Sequence, residues 1–272
     1  MSITQSLTEL KDCLKTSECM PLVFLGHGSP MNAIEDNQYS RSWAELGRNL
    51  PRPQAILVVS AHWMTEGSTL VDVSAMPRTI HDFYGFPREL FAQQYPAPGA
   101  PEMAKQVATL LASHHVAGDD SWGLDHGAWS VLKFLYPNAD VRVFQLSIDM
   151  TKDLGHHLEI GRALSKLRDR GVLILGSGNV VHNLRAVRFG GAPYDWAEEF
   201  DTLFAERLGV RDFTTLSDRE KLGRLLTMAQ PSPDHYLPAL TIAGASNDKD
   251  KLLFMNEAID IASISMRSFV YY

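Results

Sequence analysis

Short, continuous apolar runs alternate along this chain with longer stretches in which apolar residues recur every three or four positions. The runs at 22–26, 55–60, 68–74, 141–147, 172–176 and 261–270 are rich in Val, Ile, Leu and Phe, and they predict strands. Between them, helices are expected over Pro101–Ser113, with proline at its start, Lys152–Arg170, stopped by Gly171, Asp195–Leu208 and Ser217–Ala229. Leu7, Leu10 and Leu14 predict a short amphipathic helix within a lead-in segment, residues 1–20. Strands that are apolar throughout, rather than alternating, are covered on both faces. With helices between them they imply an α/β fold: one domain over 21–272, with a mostly parallel or mixed central sheet flanked by helices.

The ends of those runs carry the first chemical signal. "PLVFLGHGSP" passes from apolar residues straight into His27, "AILVVSAHW" does the same at His62, and "VLILGSGNVVHN" reaches His182 after a short loop. In open α/β sheets ligands collect beyond the carboxyl ends of the strands, so three strands would deliver three imidazoles to one edge. One histidine after a strand is ordinarily a hydrogen-bonded loop residue; three at one edge suggest a metal site there. Gly26, Gly28, Gly176 and Gly178 flank them and would let backbone approach closely, or serve only as turn residues.

Composition narrows the partner. The 272 residues are 45% hydrophobic and 21% charged, enough for a sizeable core, and the net charge is −7. No Lys/Arg cluster offers a basic face for nucleic acid or an anionic membrane, so a small molecule is the expected partner. Cys13 and Cys19 are the only cysteines, which leaves no disulfide framework and no thiolate metal site and fits a reducing cytoplasm. No apolar run is long enough for a membrane span, and "MSITQSLTELKDC" has no signal-peptide core.

Two further histidines stand in unusual settings. His126 lies in "WGLDHGAWSVLKFLYP", a loop with Trp122 and Asp125 that runs into an apolar helix; Asp125 could orient a neighbouring imidazole, but adjacency in sequence does not show that. His235 lies in "QPSPDHYLPAL", where prolines constrain an Asp-His pair. His114 and His115 close a helix while His156 and His157 open one, which suits solvated or capping roles. His81, in "TIHDFYGFP", is placed either to wall a pocket or to pack.

Taken together, "GHGSP", "SAHW", "DHGAW", "GSGNVVHNL" and "PSPDHYLP", in that order over residues 21 to about 270, resemble the class III extradiol ring-cleaving dioxygenases, most of all their 4,5-DOPA branch. The resemblance implies an oxidoreductase with one divalent metal per chain, Fe(II) for turnover or Zn(II) as bound. It also implies a catechol such as L-DOPA and O2 as substrates. Carried over to this sequence, His27 and His62 match the two N-terminal metal ligands. His235 falls where protocatechuate-cleaving relatives place a glutamate, and His182 matches a histidine close to the metal, either as a ligand or as an acid/base. His126 matches the acid/base histidine of the pocket. An all-nitrogen set departs from the two-His, one-carboxylate face usual for oxygenase iron and suits zinc equally.

Other classes share parts of the pattern. "GHGS" after a first strand also resembles the tetrapyrrole metal chelatases, which lack the later motifs. Memo-like binding modules resemble the fold but carry a cysteine in the metal set, absent here. Ser29 does not sit in the G-x-S-x-G elbow of a serine hydrolase. Of Arg41, Arg88, Arg185 and Arg188, none is singled out by sequence as the cation for a substrate carboxylate.

Overall fold

The strand that leads to His27 and the strand that carries His62 lie on either side of the strand that leads to His182. In a computed structural model, which describes residues 3–16 and 19–272, the strands are β1 (Leu22–Gly26), β2 (Ala55–Thr65), β3 (Thr69–Asp72), β4 (Val116–Asp119), β5 (Arg142–Asp149), β6 (Val172–Gly178), β7 (Leu252–Met255), β8 (Ile259–Asp260), β9 (Ile264–Ser265) and β10 (Ser268–Tyr271). Eight of them form one sheet in the order β4-β3-β5-β2-β6-β1-β10-β7, and β8 and β9 pair separately. β6 runs parallel to both β1 and β2, so all three carboxyl ends emerge at one edge. β5 is parallel to β2 and β4 to β3, whereas β10 is antiparallel to both β1 and β7, and β3 to β5. The sheet is therefore mixed and mostly parallel, as the uninterrupted apolar runs imply.

β1, β2 and β6 each feed two cores. Leu22, Phe24, Leu57, Val59 and Ile174 face one side, and Val23, Leu25, Ile56, Val58 and Leu175 face the other. The helices are α1 (Ile3–Thr16), α2 (Gln38–Asn49), α3 (Arg88–Phe91), α4 (Pro101–Leu110), α5 (His126–Leu135), α6 (Leu154–Leu164), α7 (Asp195–Gly209), α8 (Phe213–Leu216), α9 (Arg219–Ala229) and α10 (Leu237–Ala245). On the first face, α4, α6, α7, α9 and α10 cover the sheet. α1, α2 and α5 cover the second, with Leu7, Leu10 and Leu14 buried as their spacing predicts. No helix among the described residues is long and apolar enough to cross a membrane.

Several elements depart from the sequence expectation for physical reasons. The helices expected over 101–113 and 152–170 keep α geometry only to Leu110 and Leu164 and finish as tighter 3-10 turns. The single strand expected over 261–270 is broken: Ile261 and Ala262 have positive φ, and only Ile264–Ser265 and Ser268–Tyr271 form strands. β4, reading VAGD, is a partly exposed edge strand, so burial leaves no apolar run to read. α10, reading LPALTIAGA, is buried on every side, so no amphipathic stripe announces it. His157 also differs: only 4% exposed at the start of α6, it is a core residue and not a solvated cap.

Candidate metal centre

β1 ends at Gly26 and places His27 immediately beyond the sheet edge, where its backbone N–H donates to the Gly178 carbonyl at 3.0 Å. His62 is not past the end of its strand. β2 continues to Thr65 through a register shift between Val59 and Met64, and His62 sits within that irregular stretch. His235 arrives on the proline-rich turn before α10. Its carbonyl accepts from Asn179 N–H at 2.9 Å, just after β6.

That close approach requires glycine at 178. A Cβ there would stand 2.2 Å from the His235 carbonyl oxygen, well inside van der Waals contact. Gly28 combines a left-handed φ of +61° with the Met266 side chain packed where a Cβ would be. Asn179 then ties the edge together: its side chain accepts from Gly28 N–H at 3.3 Å and donates to the Ser265 carbonyl at 2.7 Å.

The three side chains converge. One ring nitrogen from each of His27, His62 and His235 lies within 4.8 Å of the others. His27 Nε2 and His62 Nε2 are 3.1 Å apart. The Ser177 hydroxyl donates to the Gly127 carbonyl at 2.6 Å, so its oxygen accepts from His27 Nδ1–H at 2.9 Å, which leaves a lone pair on Nε2. His62 Nδ1 is 3.4 Å from Asp82 Oδ2, out of line for a hydrogen bond, and the neighbouring negative charge favours the same tautomer for His62. Two lone pairs facing each other at this distance repel unless a cation or proton lies between them, and two nitrogens bonded to one Zn(II) at ~2.0–2.1 Å stand roughly 3 Å apart. His235 Nδ1 lies 3.2 Å from Asp234 Oδ1 but out of line for a hydrogen bond, and so is buried without a partner. The donor set thus fits a divalent ion.

Burial, followed by the neighbouring imidazoles, pushes His27 and His62 well below the usual histidine range. Both rings are therefore neutral near pH 7, the form that ligates.

His182 and His126 occupy different places around this set. His182 stacks on His235, the ring centroids 3.4 Å apart and the planes within 6°. One ring nitrogen from each of His182 and His235 and a carboxylate oxygen of Asp234 also lie within 4.8 Å of one another. Backbone contacts hold His182, through its N–H to the Ala229 carbonyl at 2.8 Å and a bridge to Ile264. His126 opens α5, is 6% exposed, and has its ring centroid 3.9 Å from that of His62. Its Nδ1 is 2.9 Å from Asp82 Oδ2, so Nε2 is the nitrogen left for chemistry.

Two carboxylates exchange the roles that sequence order suggests. Asp125 reaches no imidazole. It accepts from Ser60 Oγ at 2.6 Å, Gln145 Nε2 at 3.1 Å, Trp122 Nε1 at 3.3 Å and Ala128 N–H at 3.2 Å, capping α5 from within the core. Burial, then the charge of Asp82, pushes its carboxyl above the usual range. Asp82 is the residue at the imidazoles. Burial alone would raise its carboxyl, but the hydrogen bond and charge interaction with His126 outweigh that and hold it below the ordinary value. Its only sequence signal was membership of the aromatic "HDFYGFP" loop. His81, from the same loop, packs among Phe83, Phe91 and Trp129. Arg41 pairs with Asp36 on the surface, and the Arg188 guanidinium donates to the Ala192 carbonyl.

This fold with a histidine centre at its carboxyl edge belongs to a recognised class. A family model described as the catalytic LigB subunit of aromatic ring-opening dioxygenase matches residues 20–266, and the chain belongs to that family. It is accordingly an oxidoreductase, a ring-opening dioxygenase, and the chelatase and hydrolase resemblances fall away. Among curated relatives it is 47% identical over 266 residues to the 4,5-DOPA dioxygenase extradiol of Escherichia coli K12, covering 95% of this chain and 97% of that protein. It is 37% identical over 257 residues to the 4,5-DOPA dioxygenase extradiol of Beta vulgaris, covering 91% and 95%. A crystal structure of an uncharacterised E. coli K12 protein superposes with a TM-score of 0.80 at 43% identity, covering 92% of this chain and 99% of that one.

Proposed function

We propose that this protein is an extradiol dioxygenase that opens the ring of a catechol amino acid, L-DOPA or a close relative, at the 4,5 bond. The observation that carries the reading is the meeting of the His27 and His62 Nε2 atoms at 3.1 Å, in a chain whose family opens aromatic rings. His27, His62 and His235 would hold one divalent ion, Fe(II) for turnover, with Zn(II) equally accommodated by an all-nitrogen set. When bound, the ion supplies a site where catechol oxygens and O2 meet and electron density passes between them.

The remaining steps fall to the side chains. His126 Nε2 can accept a catechol proton and later return it to the departing oxygen, because Asp82 occupies Nδ1 and holds the ring. His182, stacked on His235, is a further proton-transfer group at the same wall of the site. Neutral, buried imidazoles leave room for substrate on the ion without adding negative charge. The net charge of −7 and the two-cysteine composition suit a cytoplasmic catalyst of small molecules.

The test is oxygen uptake. Loaded anaerobically with Fe(II) and then given L-DOPA, ascorbate and air, the protein should consume one O2 per catechol and form a yellow semialdehyde. The amine of opened DOPA can then cyclise onto the new aldehyde, whereas simple catechols should give ring opening alone. No oxygen uptake with any catechol, or a colourless diacid, would overturn the reading.

A further inference from the structure

Asp82 lies on a loop whose backbone is open to solvent, yet its carboxylate turns inward, with a side-chain exposure of 17%. One oxygen, Oδ1, accepts the backbone N–H of His126 at 2.8 Å. The other, Oδ2, accepts His126 Nδ1–H at 2.9 Å and stands 3.4 Å from His62 Nδ1. The loop that delivers it is braced just upstream: Ile80 N–H donates to the Leu124 carbonyl at 2.7 Å, and Trp129 Nε1 donates to the Ile80 carbonyl at 2.8 Å. On its other side, Phe83 packs edge-on against His126, with centroids 5.5 Å apart. The carboxylate is thus held at a fixed place relative to α5 before any ligand arrives.

We propose that Asp82 is a positioning residue shared by two functions, fixing His62 for metal binding and His126 for proton transfer through a single carboxylate. The inference rests on the roles given above to His62 and His126. A carboxylate has only acceptor sites, so His126 turns Nδ1–H toward it and presents Nε2 to the cavity, and the same negative charge 3.4 Å from His62 Nδ1 favours that orientation for His62. With rings 3.9 Å apart and one carboxylate beside both, a change in the Asp82 side chain bears on His62 and His126 together.

An amide cannot substitute. If the Asp82→Asn carbonyl keeps the His126 backbone N–H, its NH2 faces Nδ1 as a donor and favours the opposite tautomer, with the proton on Nε2. If the amide flips, its NH2 opposes the backbone N–H. Either way one contact made by the carboxylate is lost.

The experiment uses the Zn(II)-loaded full-length protein and does not depend on turnover, so it is read independently of whether catechols are cleaved. Long-range 1H–15N spectra should show His126 as the Nδ1–H tautomer in the parent and as Nε2–H in Asp82→Asn. Competition with a chelator should show Zn(II) affinity falling by about 10–100-fold, the usual effect of removing a carboxylate behind a ligating histidine. Asp82→Glu, which retains the acceptor chemistry, should keep the Nδ1–H tautomer. A well-folded Asp82→Asn in which His126 stays Nδ1–H and Zn(II) affinity moves by less than about twofold overturns the proposal. Should Asp82→Asn fail to fold, Asp82→Glu decides: a change to Nε2–H in that variant has the same consequence.

Discussion

Ser177 decides which nitrogen His27 can offer. Its hydroxyl proton is committed to the Gly127 carbonyl at 2.6 Å, so the contact with His27 Nδ1 at 2.9 Å has only one possible direction. Replacing Ser177 with alanine removes the acceptor and leaves the buried His27 Nδ1–H unpaired. Ser177→Ala should cost about 1–3 kcal/mol of stability and weaken metal binding by about 10-fold or more. Thermal melts and chelator competition on the same sample check both, and unchanged affinity would show that His27 needs no such restraint.

Metal binding and proton transfer should separate by mutation. His126→Ala should retain its metal and lose turnover by roughly 10²–10⁴-fold, the scale of a proton-transfer group. His27→Ala should lose metal and activity together. Metal content per chain, measured beside oxygen uptake, distinguishes them; equal metal loss in both would place His126 among the ligands.

A residue with no side chain should control the ligand set. Because an alanine Cβ at 178 would collide with the His235 carbonyl, Gly178→Ala must push the His235 turn away from β6. Overpacking of this kind costs about 1–3 kcal/mol, so the variant should fold with a lowered Tm but bind less than one metal per chain. Full occupancy would mean that the turn yields without carrying His235 with it.

Acid sensitivity should have a component outside the metal centre. Burial, with a smaller contribution from His156, holds the His157 imidazole down to about 4 in the folded chain, and its Nε2 has no hydrogen-bond partner. The unfolded chain takes up that proton near pH 6.5 and the folded one only near 4, so stability falls as pH drops through this window. The loss amounts to about 3 kcal/mol. In metal-loaded protein, His157→Leu should make the decline shallower by one proton between those limits. Identical slopes in denaturant titrations at stepped pH would show that His157 contributes nothing.

Pattern alone determined much of this protein. The apolar runs place β1, β2, β3, β5 and β6 because buried parallel strands must be apolar on both faces, and the leucine spacing places α1. The histidines of "GHGSP", "SAHW" and "NVVHN" are legible as neighbours because strand ends share a sheet edge, whereas His235 of "PSPDHYLP" joins them in the sequence reading only through the family resemblance. What sequence could not decide was which groups touch. Asp125, adjacent to His126 in sequence, turns into the core to cap α5, while Asp82, 44 positions upstream, supplies the carboxylate. The stacking of His182 on His235 likewise depends on where the β6 loop and the α10 turn meet, which Gly178 permits. Periodicity reports burial along one element. The direction of a hydrogen bond or the plane of a ring is set by atoms brought together from distant segments, and those relations exist only once the chain has folded.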